Sequence, residues 1–189
     1  MTPKKAFFTC LFLSITLWIG AFSYGFRNNS ESHMKKSEKN NKTEKISTHS
    51  IVANYLKKGD NFSIFKLIFT NNLKCCIINT AGASLLCIPT VYNSLYCGFV
   101  IGCQIADIVN DKTHSRERLT KVLPHSFEVV GLWLSGANGF FLLYIMFWIL
   151  KKNERFTNKG LKLIGYSMAS SVFIILFAAI IEAFISIKL

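Results

Sequence analysis

The chain has 189 residues, 51% of them hydrophobic and 14% aromatic, and a formal net charge of +12. Its apolar residues are blocked into runs and its charges into islands between them. That pattern excludes an ordinary soluble domain and marks an integral membrane protein with no room for a large extramembrane unit. The basic surplus flanks apolar runs, where topology signals belong, so the expected partner is the lipid bilayer and not nucleic acid.

Residues 6–26 form the first apolar run, behind Lys4 and Lys5. Ala21-Phe22-Ser23 fits the small-x-small pattern of a cleavage site. The run nevertheless continues to Phe26 and carries Trp18 and Tyr24, which suit an interface belt. Residues 1–26 are therefore read as a first transmembrane helix, retained as a signal anchor. Residues 27–61 follow as a polar, partly disordered extramembrane segment. Within it, 27–50 has almost no apolar content to offset the entropy of ordering.

Residues 62–189 are read as a four-helix membrane core with a preceding interfacial helix. Phe62, Ile64, Phe65, Leu67, Ile68 and Phe69 suit a helix lying along the membrane, capped by Asn61 or Ser63. Residues 75–106 are then uncharged for 32 positions. One straight helix of that length would measure ~48 Å, too long for a ~30 Å hydrocarbon core. Pro89, with Thr90 and Asn93, supplies a break, so two short helices meeting near Pro89 are expected, with a re-entrant hairpin as the alternative. Gly98 and Gly102 form a GxxxG pair that permits close helix approach. A charged loop at 109–121, a fourth helix at 127–150, a basic island at 151–162 and a fifth helix at 163–187 complete the chain. The expectation is an all-α, polytopic bundle of about five transmembrane helices plus one interfacial helix, multi-pass in the cell membrane.

All six cysteines lie inside apolar runs and no CxxC pair occurs. They are read as small apolar packing residues, without disulfide or metal.

In that topology the start of the second helix, the end of the third, the start of the fourth and the end of the fifth coincide. This mouth holds Asn72, Gln104, Asp107, His125, Glu128 and Glu182, an expected intramembrane polar cluster. Glu128 and Glu182 are expected at similar depth on adjacent helices, with His125 one turn from Glu128 on the same face. Along helix four, Glu128, Gly131, Ser135 and Asn138 recur at helical spacing; along helix five, Ser167, Ser171, Ala178 and Glu182 do the same. Such small or polar stripes are where membrane helices pack, and a carboxylate facing lipid costs ~2.5–3.5 kcal/mol or more. Three readings of the cluster stand. It can lock helices together, bind a cation, proton or peptide, or hold zinc. The lock is preferred, because no HExxH or other ligand spacing occurs. No Ser-His-Asp order, phosphate loop or nucleotide signature appears, so no enzyme, catalytic residue, cofactor or metal is expected.

Several short motifs resemble the stage II sporulation protein M family of bacterial integral membrane proteins. They are Pro124-His125-Ser126-Phe127-Glu128, Ile181-Glu182-Ala183-Phe184-Ile185, Phe69-Thr70-Asn71-Asn72, the stretch 82–89 and the Gly98-to-Gly102 turn. Ser126 departs from the family pattern, in which a glycine follows the histidine, and suggests a divergent branch. The resemblance implies a helical membrane protein without known catalysis and with a cytoplasmic N-terminus. It implies a scaffold or accessory role, docking membrane proteins of peptidoglycan remodelling or of transport. Two alternatives are maturation, export or immunity for a circular bacteriocin, with a hydrophobic peptide as partner, and an ion or proton carrier.

Overall fold

The computed structural model describes residues 2–36, 60–110 and 125–184, with backbone alone at 31–36, 125 and 126. Among the described residues five helices follow in order: α1 (Pro3–Lys36), α2 (Asn61–Ala81), α3 (Ile88–Asn110), α4 (His125–Leu150) and α5 (Glu154–Phe184). A 3-10 turn at Gly82–Leu85 joins α2 to α3. No strand occurs among the described residues, in keeping with the all-α expectation.

The helix boundaries differ from the sequence reading in three places, each for a local physical reason. First, α1 continues past Phe26 to Lys36, into the stretch expected to be disordered. Neighbouring α3 supports this extension. Asn29 Nδ2 donates to Cys103 O (2.9 Å) and to Asp107 Oδ1 (2.7 Å), and Gly25 lies directly on the Phe99 backbone. The rest of the expected tether, 37–59, lies outside the described residues, as do the 111–121 part of the charged loop and Pro124.

Second, the expected interfacial helix and the helix after it are one. Asp60 caps α2, accepting from the Ser63 N–H (3.0 Å), and the helix runs unbroken through Asn71, Asn72 and Lys74 to Ala81. The break falls at 82–87, before Pro89 rather than at it. Leu86 (φ 51°) and Cys87 (φ 62°) adopt the left-handed conformation, which costs a non-glycine residue ~1–2 kcal/mol. Opposing hydrogen bonds hold the turn: the Cys87 N–H donates to Gly82 O (2.8 Å) and Thr90 Oγ1 to Asn79 O (2.6 Å). Pro89 then sits in the first turn of α3, where its missing N–H costs nothing.

Third, α5 begins at Glu154, not at 163, so the basic island is mostly helical. Asn153 Oδ1 accepts from the Phe156 N–H (3.0 Å) as an N-cap. The preceding helix ends in a Schellman arrangement: Asn153 N–H donates to Trp148 O (3.2 Å) and Lys152 N–H to Ile149 O (2.9 Å). Lys152 occupies its left-handed position, φ 55°.

Side-chain contacts fix the helix directions. Phe7 meets Phe141 edge-on and Trp18 meets Trp133, so α1 and α4 are antiparallel. Gly98 lies against Trp18 and Ala21, and Gly102 against Phe22 and Phe26, so α1 and α3 are parallel. Asn72 joins Glu128 and Asn79 joins Ser135, so α2 and α4 are parallel. Gly131 faces Ile175 and Gly160 faces Ile145, so α4 and α5 are antiparallel. Successive helices therefore alternate, and the C-terminal ends of α1, α3 and α5 share one end of the bundle with the N-terminal ends of α2 and α4.

By length and composition, three helices can cross a membrane: α1 over Pro3–Ser30, α4 over Phe127–Leu150, and α5. Helices α2 and α3 are long enough, at 21 and 23 residues, but too polar to qualify on composition. Burial within the candidate spans is 56% for α4, 22% for α1 and 33% for α5, which makes α4 the central helix. The solvent pattern of a soluble protein is inverted. Phe8, Phe12, Tyr92, Phe173 and Phe177 are exposed, whereas Asn72, Asn79, Thr90, Ser135 and Asn138 are buried. Apolar side chains outside and hydrogen-bonding side chains between helices is the arrangement that lipid favours.

Candidate functional site: the polar interior of the bundle

Helix α4 opens with Glu128 in its first turn, where a carboxylate complements the helix dipole. Glu128 is buried, and Asn72 Nδ2 of α2 donates to its Oε1 (2.5 Å). A typical hydrogen bond contributes ~0.5–1.5 kcal/mol, and stranding a buried partner costs ~1–3 kcal/mol. Asn72, Cys76 and Asn79 recur at helical spacing and face Glu128, Gly131 and Ser135 in turn. The Cys76 thiol points at Gly131 O (3.8 Å), and Asn79 Nδ2 donates to Ser135 Oγ (2.9 Å). Ser135 Oγ in turn donates to Leu132 O (2.9 Å).

From Asn79 the network crosses to α3. Asn93 Nδ2 donates to Asn79 Oδ1 (2.8 Å), and Thr90 Oγ1 bonds the Asn79 carbonyl. Asn79, at 1% exposure, is thus joined to polar groups on two other helices, α3 and α4. Beside it, Gly139 lies against Asn79 O and Thr90, and Cys87 Sγ approaches Gly139 O (3.4 Å). Cys103 Sγ likewise approaches Gly25 O (3.5 Å). Three cysteines thus meet the carbonyl of a glycine on a neighbouring helix. All six cysteines are free thiols.

The expected cluster divides. Asp107 and Gln104 are exposed, and Asp107 is bonded by Asn29 of α1. The reason is that α3 turns its C-terminal half to α1, through Gly98 and Gly102, and not to α4. Glu182 is half-buried on α5, with Oε2 closed off from solvent. Phe127 contacts Phe177 (6.4 Å between ring centres) and Phe65 contacts Phe184 (6.5 Å). This register places Glu128 level with about residue 176, so Glu182 lies about six residues, ~9 Å of helix rise, nearer the mouth. The two carboxylates are staggered, not level, because α5 extends beyond the start of α4. His125 begins α4, and its side chain lies outside the described residues.

The stripes themselves are interior. Gly131, Ser135 and Asn138 on α4 and Ser171 and Ala178 on α5 are all buried. Gly131 packs on Ile175 and Ser171, whereas Ser135 faces α2. Asn138 is fully buried with neither amide atom hydrogen-bonded, and Ser167 Oγ is in the same condition. The Gly131–Ile175 and Gly160–Ile145 contacts put these two residues at one level of the α4–α5 interface. Among the described residues, no group of three or more His, Cys, Asp and Glu could hold a metal ion.

Sequence reasoning missed Asn79, Asn93, Thr90 and Asn29. Asn79 had a signal, since it lies seven residues after Asn72. Both asparagines lie on α2, where that spacing puts them on one face.

The inward-facing polar groups and outward-facing aromatic ones define a helical membrane protein. The chain belongs to the stage II sporulation protein M family, whose model matches residues 7–187. It is similar to the uncharacterized protein MJ0793 of Methanocaldococcus jannaschii, at 30% identity over 128 residues, covering 66% of this chain and 72% of the relative. No solved structure matches.

Proposed function

We propose that the protein is a non-enzymatic, multi-pass scaffold of the cell membrane. It docks other membrane proteins that carry out envelope remodelling or transport. All five helices cross the bilayer in this reading: α2 and α3 are too polar to span alone, but Asn72, Asn79 and Asn93 are turned into the bundle. The N-terminus and the 151–162 island lie in the cytoplasm.

One observation carries the reading. The buried carboxylate Glu128 is engaged by Asn72 as a helix-to-helix clamp, and the network beyond it joins α2, α3 and α4. A bundle tied in this way is a rigid platform. The test pairs photo-crosslinking with transport. Benzoylphenylalanine at Tyr92, Tyr96 or Phe173 should trap the same envelope hydrolase or transporter subunit in repeated experiments. Liposomes holding the pure protein should pass no proton or cation current above empty vesicles. A current abolished by Glu128→Gln, with no reproducible crosslink, would replace the scaffold with a carrier.

The carrier is kept as a second reading because of Asn138 and Ser167. Polar atoms without hydrogen-bond partners in the middle of an apolar interface suit a transient polar guest.

A further inference from the structure

The end of the bundle opposite Glu128 holds a cavity of about 540 Å³ between the start of α1 and the first half of α5. Three lysines line it, Lys4, Lys159 and Lys162, together with Thr2, Leu163 and Tyr166. No carboxylate is among its lining residues. Lys159, Lys162 and Tyr166 recur at helical spacing on one face of α5, and Lys4 comes from the first turn of α1. Lysines from both helices thus border one volume.

Depth decides what that volume suits. Lys4 stands two residues before Ala6 and three before Phe7, and Lys162 two before Ile164, and these three apolar residues are members of the core cluster around Phe141. The lysines therefore stand at the border of the apolar band, and Leu163 lies just within it. A ligand there meets positive charge at one end and hydrocarbon at the other. The volume falls within the usual range for small-molecule sites.

We propose that this cavity binds the headgroup of an anionic phospholipid, with the phosphate among Lys4, Lys159 and Lys162 and the start of the acyl chains against Leu163 and Tyr166. The chemistry is that of basic pockets between membrane helices. This proposal is independent of the scaffold reading, since it concerns the other end of the molecule.

The test uses the full chain in nanodiscs and in mixed micelles of phosphatidylglycerol and phosphatidylcholine, with retained lipid measured by native mass spectrometry. The wild type should retain phosphatidylglycerol selectively. Each lysine near an anionic headgroup is worth about fivefold, so K4Q/K159Q/K162Q should weaken retention on the order of 100-fold. R27Q/K66Q/K74Q removes the same charge at the other end and should leave retention near the wild-type value. Equal loss in both triple variants would reduce the effect to general surface charge and overturn the site. Equal retention of the two lipids would overturn it as well. Full displacement by millimolar inorganic phosphate would assign the cavity to a free anion instead of a lipid.

Discussion

If Glu128 and Asn72 clamp α4 to α2, their substitutions must couple. Glu128→Ala strands the buried Asn72 amide, whose exposure is only 9%. Leaving a buried polar group without its partner costs ~1–3 kcal/mol, and the lost hydrogen bond adds to it, so ~3 kcal/mol is expected. In a chain of this size that corresponds to a fall of roughly 6–12 °C in the unfolding midpoint. Glu128→Gln keeps an acceptor oxygen in the same place and should lose less than half as much. Asn72→Leu alone should cost ~1–3 kcal/mol, and the double variant Asn72→Leu/Glu128→Ala should cost clearly less than the sum. The assay is a double-mutant cycle of thermal unfolding in nanodiscs. Additivity within ~0.5 kcal/mol would refute the clamp, because residues that do not touch add to about that tolerance. Equal losses for Glu128→Ala and Glu128→Gln would also refute it.

Three further outcomes follow from the packing. In Gly139→Ala the new Cβ would press on Asn79 O and lie 2.8 Å from Thr90 Oγ1, so a loss of ~1–3 kcal/mol is expected. Gly165→Ala meets nothing within 4 Å and should gain ~1 kcal/mol from helix propensity; comparable midpoints for the two variants would contradict the contact. Lys152→Gly should raise the midpoint, since glycine enters the left-handed C-terminal position of α4 without the ~1 kcal/mol or more that lysine pays there. A lowered midpoint would show that Lys152 has a role beyond its backbone. Asn138→Leu keeps the branching at Cγ and removes two polar atoms that lack hydrogen bonds, so stability should hold or rise. A fall larger than that of Asn138→Ala would mean that the amide holds a polar guest.

The sequence exposed the class of protein more readily than its contacts. The run at 127–150 became α4 with a two-residue change at its start, and the run at 6–26 became α1, which continues ten residues further to Lys36. Glu128, Gly131, Ser135 and Asn138 were legible as one stripe because nothing interrupts helical spacing between them. The partner stripe on α2 was not legible. Asn72 was read only as a mouth residue at the start of the second helix, and Asn79, two turns further along, was not read with it. Asp107 and Gln104 were assigned to the mouth because helix ends coincide there. Coinciding ends set a level, however, and not the neighbour a helix faces.

What the sequence determined by itself is the class: apolar runs of spanning length separated by basic islands have no other stable home than a bilayer, and buried carboxylates there must turn inward. Tertiary structure decided the rest. Whether Arg27 to Lys36 is helix depends on Asn29 reaching α3, and the partner of Glu128 depends on which face of α2 meets α4. Both are set by contacts between residues 56 to 78 positions apart in the chain, a separation over which local periodicity carries no information.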